Sequence, residues 1–273
     1  MSKRIRAIEV MVVVAVIGAL IALVIPAILA AREAARREAC EYHLKQLGLG
    51  ALNYSDCYRV FPAGTTGSRE LAPEERFSWY PSIWVFIQGK PPKLLLDETQ
   101  AWNGDVNRWP KVEYKYNDLG EPTERTTIHP LPSFRMFACP SAGRTESVLG
   151  ISVTHYVGMA GLGLKSPEFD LDQAGSGVWG YDRQIKTSDV VDGLSTTISL
   201  IETNSNPGPW LAGGPPTVRG IDIASAPYIG KGRQFGGLHS VCPSVMLDGS
   251  VHHLANETDP AVFSALVTIK GRD

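Results

Sequence analysis

Val10 to Ala31 is a run of 22 residues without a single charge. As a helix rising about 1.5 Å per residue it reaches about 33 Å, enough to cross the hydrocarbon core of a bilayer. A run this long, apolar on every side, is hard to bury inside a chain of 273 residues. A removable secretory signal would have an apolar region of about 7–15 residues closed by a small-residue cleavage site. Here the run passes directly into more helix, AREAARREACEYHLKQLGLGALNY. The expected organisation is therefore a basic leader-like segment over 1–9, a transmembrane helix over 10–31, its soluble continuation over 32–56, and a globular body over 57–273.

Charge is divided along the same line. Residues 1–37 hold six Lys/Arg and two acids, which leaves 20 basic and 26 acidic residues on the remainder. A basic head on an acidic body fits a bilayer surface as the first partner. The overall net charge of −2, with no basic stripe in the body, excludes a dedicated nucleic-acid binder. With 44% hydrophobic and 20% charged residues, the chain is not a disordered one.

Within the apolar run, Glu9 stands at the N-terminal edge, where a carboxylate needs a partner or the interface. Pro26 removes a helical hydrogen bond and is expected to kink the helix. Gly18 with Ala15, Ala19 and Ala22 offers a small-residue surface for close helix packing. Beyond Ala31, Glu33–Arg37, Arg37–Glu41 and Glu41–Lys45 are opposite charges four apart, as on a solvated helix. Cys40, Leu44, Leu47, Ala51, Tyr54 and Tyr58 form one apolar stripe that can dock on the body. Gly48, Gly50 and Asn53 weaken the helix, and Phe61-Pro62 should lie past its end.

In the body, residues 65–135 are broken by eight prolines and hold four of the six tryptophans: Trp79, Trp84, Trp102 and Trp109. WYPSIWVFIQG and VEYKY are strand candidates. These aromatics read first as core and loop anchors, with stacking on a sugar or partner as the sharper alternative. VCPSVML and SVHHLAN flank Asp248-Gly249, a strong hairpin signal. DPAVFSALVTI reads as a short amphipathic helix or terminal strand, with Pro260 at the helix start.

Catalytic signatures are scarce. The sequence has no G-x-S-x-G, H-E-x-x-H, C-x-x-C or EF-hand loop. GMAGLGLKS has the wrong spacing for a phosphate loop and reads as a Gly-rich turn. His239, Asp248, His252 and His253 invite a metal, but neighbouring His252 and His253 on a strand face opposite ways. The reading is a non-enzyme without metal or cofactor. The four cysteines allow three two-bridge pairings. Helix between Cys40 and Cys57 would hold their Cα atoms too far apart. Cys139–Cys242 is the expected bridge if one forms, with free buried thiols as the alternative.

The N-terminal run EVMVVVAVIGALIALVIPAILAAREAARR resembles the helix of type IV prepilins and pseudopilins. Glu9 takes the position of their mature glutamate, and Pro26 follows as in many pilins. LIALVIPAILAAREAARREACEYHLKQLGLGALNYSDCYRVFPAG, FACPSAG, THYVGMAGLG and RQFGGLHSVCPSVMLDGSVHHL resemble a bacterial prepilin-like family of unknown function with a C-terminal H-x9-DG motif. Its motif residues are matched here by His239, Asp248 and Gly249, although eight residues rather than nine separate His239 from Asp248. Residues 65–135 match the family loosely and read as a variable elaboration. The resemblance implies an α+β, pilin-like fold, with the long helix packed on an antiparallel β-sheet. It implies a single-pass protein of the cytoplasmic (inner) membrane, its N-terminus in the cytoplasm and its body outside. It implies a pseudopilin-like structural subunit of a type II secretion or pilus-type assembly, whose partners are other pilin-like subunits met through the helix. In that setting Glu9 and Pro26 serve assembly, and the resemblance to pseudopilins, some of which bind calcium near their C-terminal loops, suggests Asp248, Asn256, Glu257 and Asp259 as calcium oxygens. Leader cleavage would fall between Arg4 and Ile5, but Arg4 stands where the processing glycine should be. That departure keeps a second expectation open: an anchored binding module for a cell-surface polymer or protein.

Overall fold

The computed structural model of the protein describes residues 2–89, 96–108, 111–118, 120, 122–128, 134–143 and 151–271. Helix α1, Ser2–Tyr58, is one uninterrupted helix of 57 residues that runs on through Pro26. Residues 11–32 are exposed throughout. Among the described residues this is the one helix long and apolar enough to cross a membrane.

The second half of α1 behaves as its stripe predicts. Cys40, Leu44, Leu47 and Ala51 are fully buried. Burial of each leucine contributes about 1.5–3 kcal/mol. The stripe fades at its end: Tyr58 is exposed, its ring tilted against Tyr54 with centroids 4.5 Å apart. Of the expected charge pairs, Arg37–Glu41 forms at 3.4 Å, whereas Glu33 turns to Arg36 instead, at 2.7 Å.

The body is built on a five-stranded sheet of β1 (Tyr156–Leu162), β2 (Ile198–Glu202), β3 (Val218–Ile221), β4 (Cys242–Met246) and β5 (Val251–Leu254). Their order is β5-β4-β2-β1-β3. Every pairing is antiparallel except β1 with β3, which is parallel. The arrangement is the expected α+β one, with a mixed rather than purely antiparallel sheet. One face of the sheet carries Tyr156, Leu200 and Val245 into the core that receives α1. The opposite face carries Val157, Ile201, Cys242 and Met246 against Phe263 and Val267.

The Asp248-Gly249 hairpin forms as predicted. Gly249 takes φ +82° at the turn, and the Asp248 carboxylate accepts from Ser250 N at 2.9 Å. Helix α3, Pro260–Leu266, is the helical one of the two expected outcomes, with Asp259 capping Ala261 N at 2.7 Å. VEYKY lies in a strand, Lys111–Tyr116, paired antiparallel with Pro122–Ile128. WYPSIWVFIQG is not a strand: Tyr80–Gln88 is helix α2. Tyr80, Ile83, Trp84 and the partly buried Ile87 repeat with helical period. Pro81 suits the first turn, and Gly89 closes the helix at φ +66°. Helical spacing and caps outweigh the strand preference of the aromatics. Trp79, Trp84 and Trp102 are buried anchors, and Trp109 lies outside the described residues.

The glycines that weaken α1 lie tightly against the body. A Cβ on Gly48 would sit 2.3 Å from Val245 Cγ1, and one on Gly50 2.7 Å from Ile87 Cγ1. Valine is stiff at χ1 and cannot swing aside. Gly48→Ala is expected to lower stability by about 1–3 kcal/mol through overpacking. Adding Val245→Ala should restore part of the loss, which a double-mutant cycle by chemical denaturation measures.

Candidate functional site

Where α1 leaves the exposed region and meets the sheet, five polar side chains converge. Glu33 lies on α1 two turns before Cys40. Cys40 is joined to Cys139 in a disulfide, with Cα atoms 5.2 Å apart. Glu202 ends strand β2, and His239 precedes strand β4. The His239 side chain is buried between the two carboxylates. Its Nδ1 is 3.2 Å from Glu33 Oε1, and its Nε2 is 3.2 Å from Cys139 Sγ and 3.6 Å from Glu202 Oε1. Glu33 also accepts from Arg36 and from Ser141 Oγ at 3.2 Å. Arg36 beside it holds the Glu33 carboxyl below its usual range, against some burial.

The anionic Glu33 selects the His239 tautomer with hydrogen on Nδ1, so the Nε2 lone pair faces the sulfurs and Glu202. Burial lowers the His239 pKa despite Glu33, favouring the neutral ring. Glu202 is completely buried, and among the described residues neither carboxylate oxygen has a hydrogen-bond partner. Burial, and then Glu41, pushes its pKa up to about 8. Behind the disulfide, His155 Nδ1 accepts from Cys139 N at 3.4 Å, and burial takes its pKa down to about 4.

The expected Cys139–Cys242 bridge is not formed. Cys242 is a free, buried thiol in the core on the other face of the sheet, while Cys139 lies on the α1 side. The strand that carries Cys242 points its side chain away. Burial holds that thiol protonated.

His239 and Asp248 do not share a site. His239 meets Glu33, while the Asp248-Gly249 turn abuts α1 further on, where a Cβ on Gly249 would touch Leu49 Cδ2 at 3.1 Å. The motif therefore fastens both ends of one segment along α1. Of the suggested calcium oxygens, Asp248 and Asp259 are used in a turn and a cap. Among the described residues the one His/Cys/Asp/Glu cluster with metal-binding spacing is Cys40, Cys139, Glu202 and His239. His252 and His253 are both exposed, and His253 pairs with Glu41 at 2.8 Å. GMAGLGLKS runs mostly as strand β1. Glu9, Arg4 and Ile5 lie within α1, as does Pro26. Sequence reasoning missed Glu33, Glu202 and His155. For Glu202 a signal existed: a carboxylate closing the otherwise apolar strand ISLIE.

The family model described as "Protein of unknown function (DUF1559)" matches residues 29–222. The chain belongs to this family. The DUF1559 match takes in Glu33, Cys40, Cys139, His155 and Glu202, together with the segment 65–135 expected to be a loose elaboration. It stops before His239, Asp248 and Gly249, and begins after the glutamate and proline of the pilin-like run. No match is found among curated proteins or among solved structures.

Proposed function

We propose that this DUF1559 protein is a pseudopilin-like structural subunit. The apolar half of α1 anchors it in the cytoplasmic membrane and packs against the helices of other pilin-like subunits, and the body lies outside. The observation that carries the reading is the division of α1. Residues 11–32 are exposed and almost wholly apolar, while Cys40, Leu44, Leu47 and Ala51 are locked into the body. A helix so built presents its free half to lipid or to like helices, with small residues at Ala15, Gly18, Ala19 and Ala22 for close approach. The cluster around His239 then fixes the angle between anchor and body, and no turnover is assigned to it.

Arg4, where a processing glycine is expected, favours a second reading, in which α1 is only an anchor and the body is a binding module. The burial of Trp79, Trp84 and Trp102 leaves that reading without those aromatics as a stacking surface.

Chemical cross-linking in native membranes, with intact-mass analysis of the extracted protein, tests the two. A subunit gives a cross-linked ladder that Glu9→Ala reduces several-fold with the body still folded, and a mature chain beginning at Ile5. A monomer with an intact leader, unchanged by Glu9→Ala, would sink the subunit reading and leave the anchored binding module.

A further inference from the structure

The sulfurs of Cys40 and Cys139, the Nε2 of His239 and a carboxylate oxygen of Glu202 all lie within 4.8 Å of one another. We propose that, when the Cys40–Cys139 bond is reduced, these four side chains form a tetrahedral site for a zinc-type divalent cation. Two thiolates, an imidazole and a carboxylate are a donor set that suits such an ion.

Three observations point to a ligand. First, Glu202 is fully buried, and among the described residues neither of its oxygens is hydrogen-bonded. An unsatisfied buried carboxyl is costly, and a cation beside it would remove that cost. Second, the two separations from His239 Nε2 already approach those of a tetrahedral site, and reduction frees the sulfurs to move apart. Zn–S bonds of about 2.3 Å and Zn–N or Zn–O bonds of about 2.0–2.1 Å set tetrahedral edges of about 3.3–3.8 Å. His239 Nε2 stands 3.2 Å from Cys139 Sγ and 3.6 Å from Glu202 Oε1. Third, the imidazole is oriented as a ligand should be. Glu33 takes the Nδ1 side at 3.2 Å, the carboxylate–histidine pairing that fixes the tautomer at metal centres.

The redox step balances with an external dithiol. It passes two electrons and two protons to the Cys40–Cys139 bond, which breaks into two thiols, while the dithiol becomes a disulfide. The cation then displaces both thiol protons, and any proton on Glu202, to solvent. Disulfide sulfurs carry no charge and bind such ions poorly, so the cross-link and the cation exclude each other. Either one ties α1 to the body at the same point: the bond under oxidising conditions, the ion where thiols stay reduced.

The test uses the full chain in detergent micelles, carrying Cys57→Ser to remove the exposed free thiol. It is reduced anaerobically with a phosphine, stripped with chelator and titrated with Co²⁺ as the probe. The expected result is one Co²⁺ per chain, with thiolate-to-cobalt charge-transfer bands and intense tetrahedral d–d bands, both bleached by Zn²⁺. Cys139→Ser should abolish the bands. His239→Ala and Glu202→Gln should each weaken binding at least tenfold, and Glu33→Gln by about 10–100-fold at most. The oxidised protein should give no bands. Should the reduced chain lose its near-UV circular dichroism, Co²⁺ must restore it, and only with all four ligands present. Absence of thiolate bands in the reduced protein would overturn the proposal. So would bands unaffected by His239→Ala and Glu202→Gln, or a loss of fold that Co²⁺ does not restore.

Discussion

Replacing Cys40 and Cys139 together by alanine is expected to remove about 4 kcal/mol of stability under oxidising, metal-free conditions. The bond joins positions 99 apart, and closing a loop of that size in the unfolded chain is worth about 4–5 kcal/mol by chain entropy. The melting temperature should fall by about 10 °C or more for a domain of this size. The loss has a location. The bond lies at the first buried turn of α1, so without it the helix is held by Leu44, Leu47, Ala51 and the contacts of Gly48 and Gly50. Thermal unfolding followed by near-UV circular dichroism measures the effect. Peptide mapping without reductant should recover Cys40 linked to Cys139. A melting temperature within about 2 °C of the parent protein would mean that the apolar stripe alone carries the docking. A Cys139–Cys242 peptide would contradict the arrangement outright.

The place of that bond shows where the sequence was readable and where it was not. The stripe from Cys40 to Ala51 was legible because helical periodicity is a local property, and so was the Asp248-Gly249 hairpin. Both depend on residues a few positions apart. The disulfide pairs positions 99 apart, which no local pattern encodes. Yet the stripe held the clue: if Cys40 faces the body, its partner must come from the body's near side. Cys242 was ruled out only by strand parity, because it occupies the face of β4 opposite Val245. Parity relative to α1 is a tertiary fact. In WYPSIWVFIQG the residue types favoured a strand, while the spacing of Tyr80, Ile83, Trp84 and Ile87 together with Pro81 and Gly89 favoured a helix. Here period and caps were the better guide. The motif around His239 was visible as letters. Its physical meaning, one segment fastened at Glu33 and again near Leu49, needed the fold.

A second large effect follows from the buried carboxyl at the end of β2. In the oxidised, chelator-treated protein, stability is expected to peak near pH 6.5 and to fall by roughly 2 kcal/mol by pH 8. Glu202 carries the alkaline limb. Burial raises its pKa to about 8 from an ordinary 4.5, so the fold favours the protonated group. Its contribution is complete below pH 4.5 and is lost as pH rises towards 8. The histidines carry the acid limb. His155 is buried with its pKa lowered to about 4, so the fold favours the neutral ring. That contribution is complete above the ordinary value of 6.5 and is lost as pH falls through the window down to 4. Burial moves His43 and His239 in the same direction. Between pH 4.5 and 6.5 the histidines outweigh the one carboxyl, and above 6.5 only Glu202 still titrates among the four. Urea denaturation at pH 5.5, 6.5 and 8 measures the profile. Glu202→Gln keeps the shape without the titration, so it should abolish the loss between pH 6.5 and 8 while leaving the acid limb in place. A parent protein equally stable at pH 6.5 and 8, or a Glu202→Gln variant with the same alkaline loss, would show that Glu202 is ionised in the fold. Its charge would then have to be balanced within the cluster that His239 and Glu33 complete.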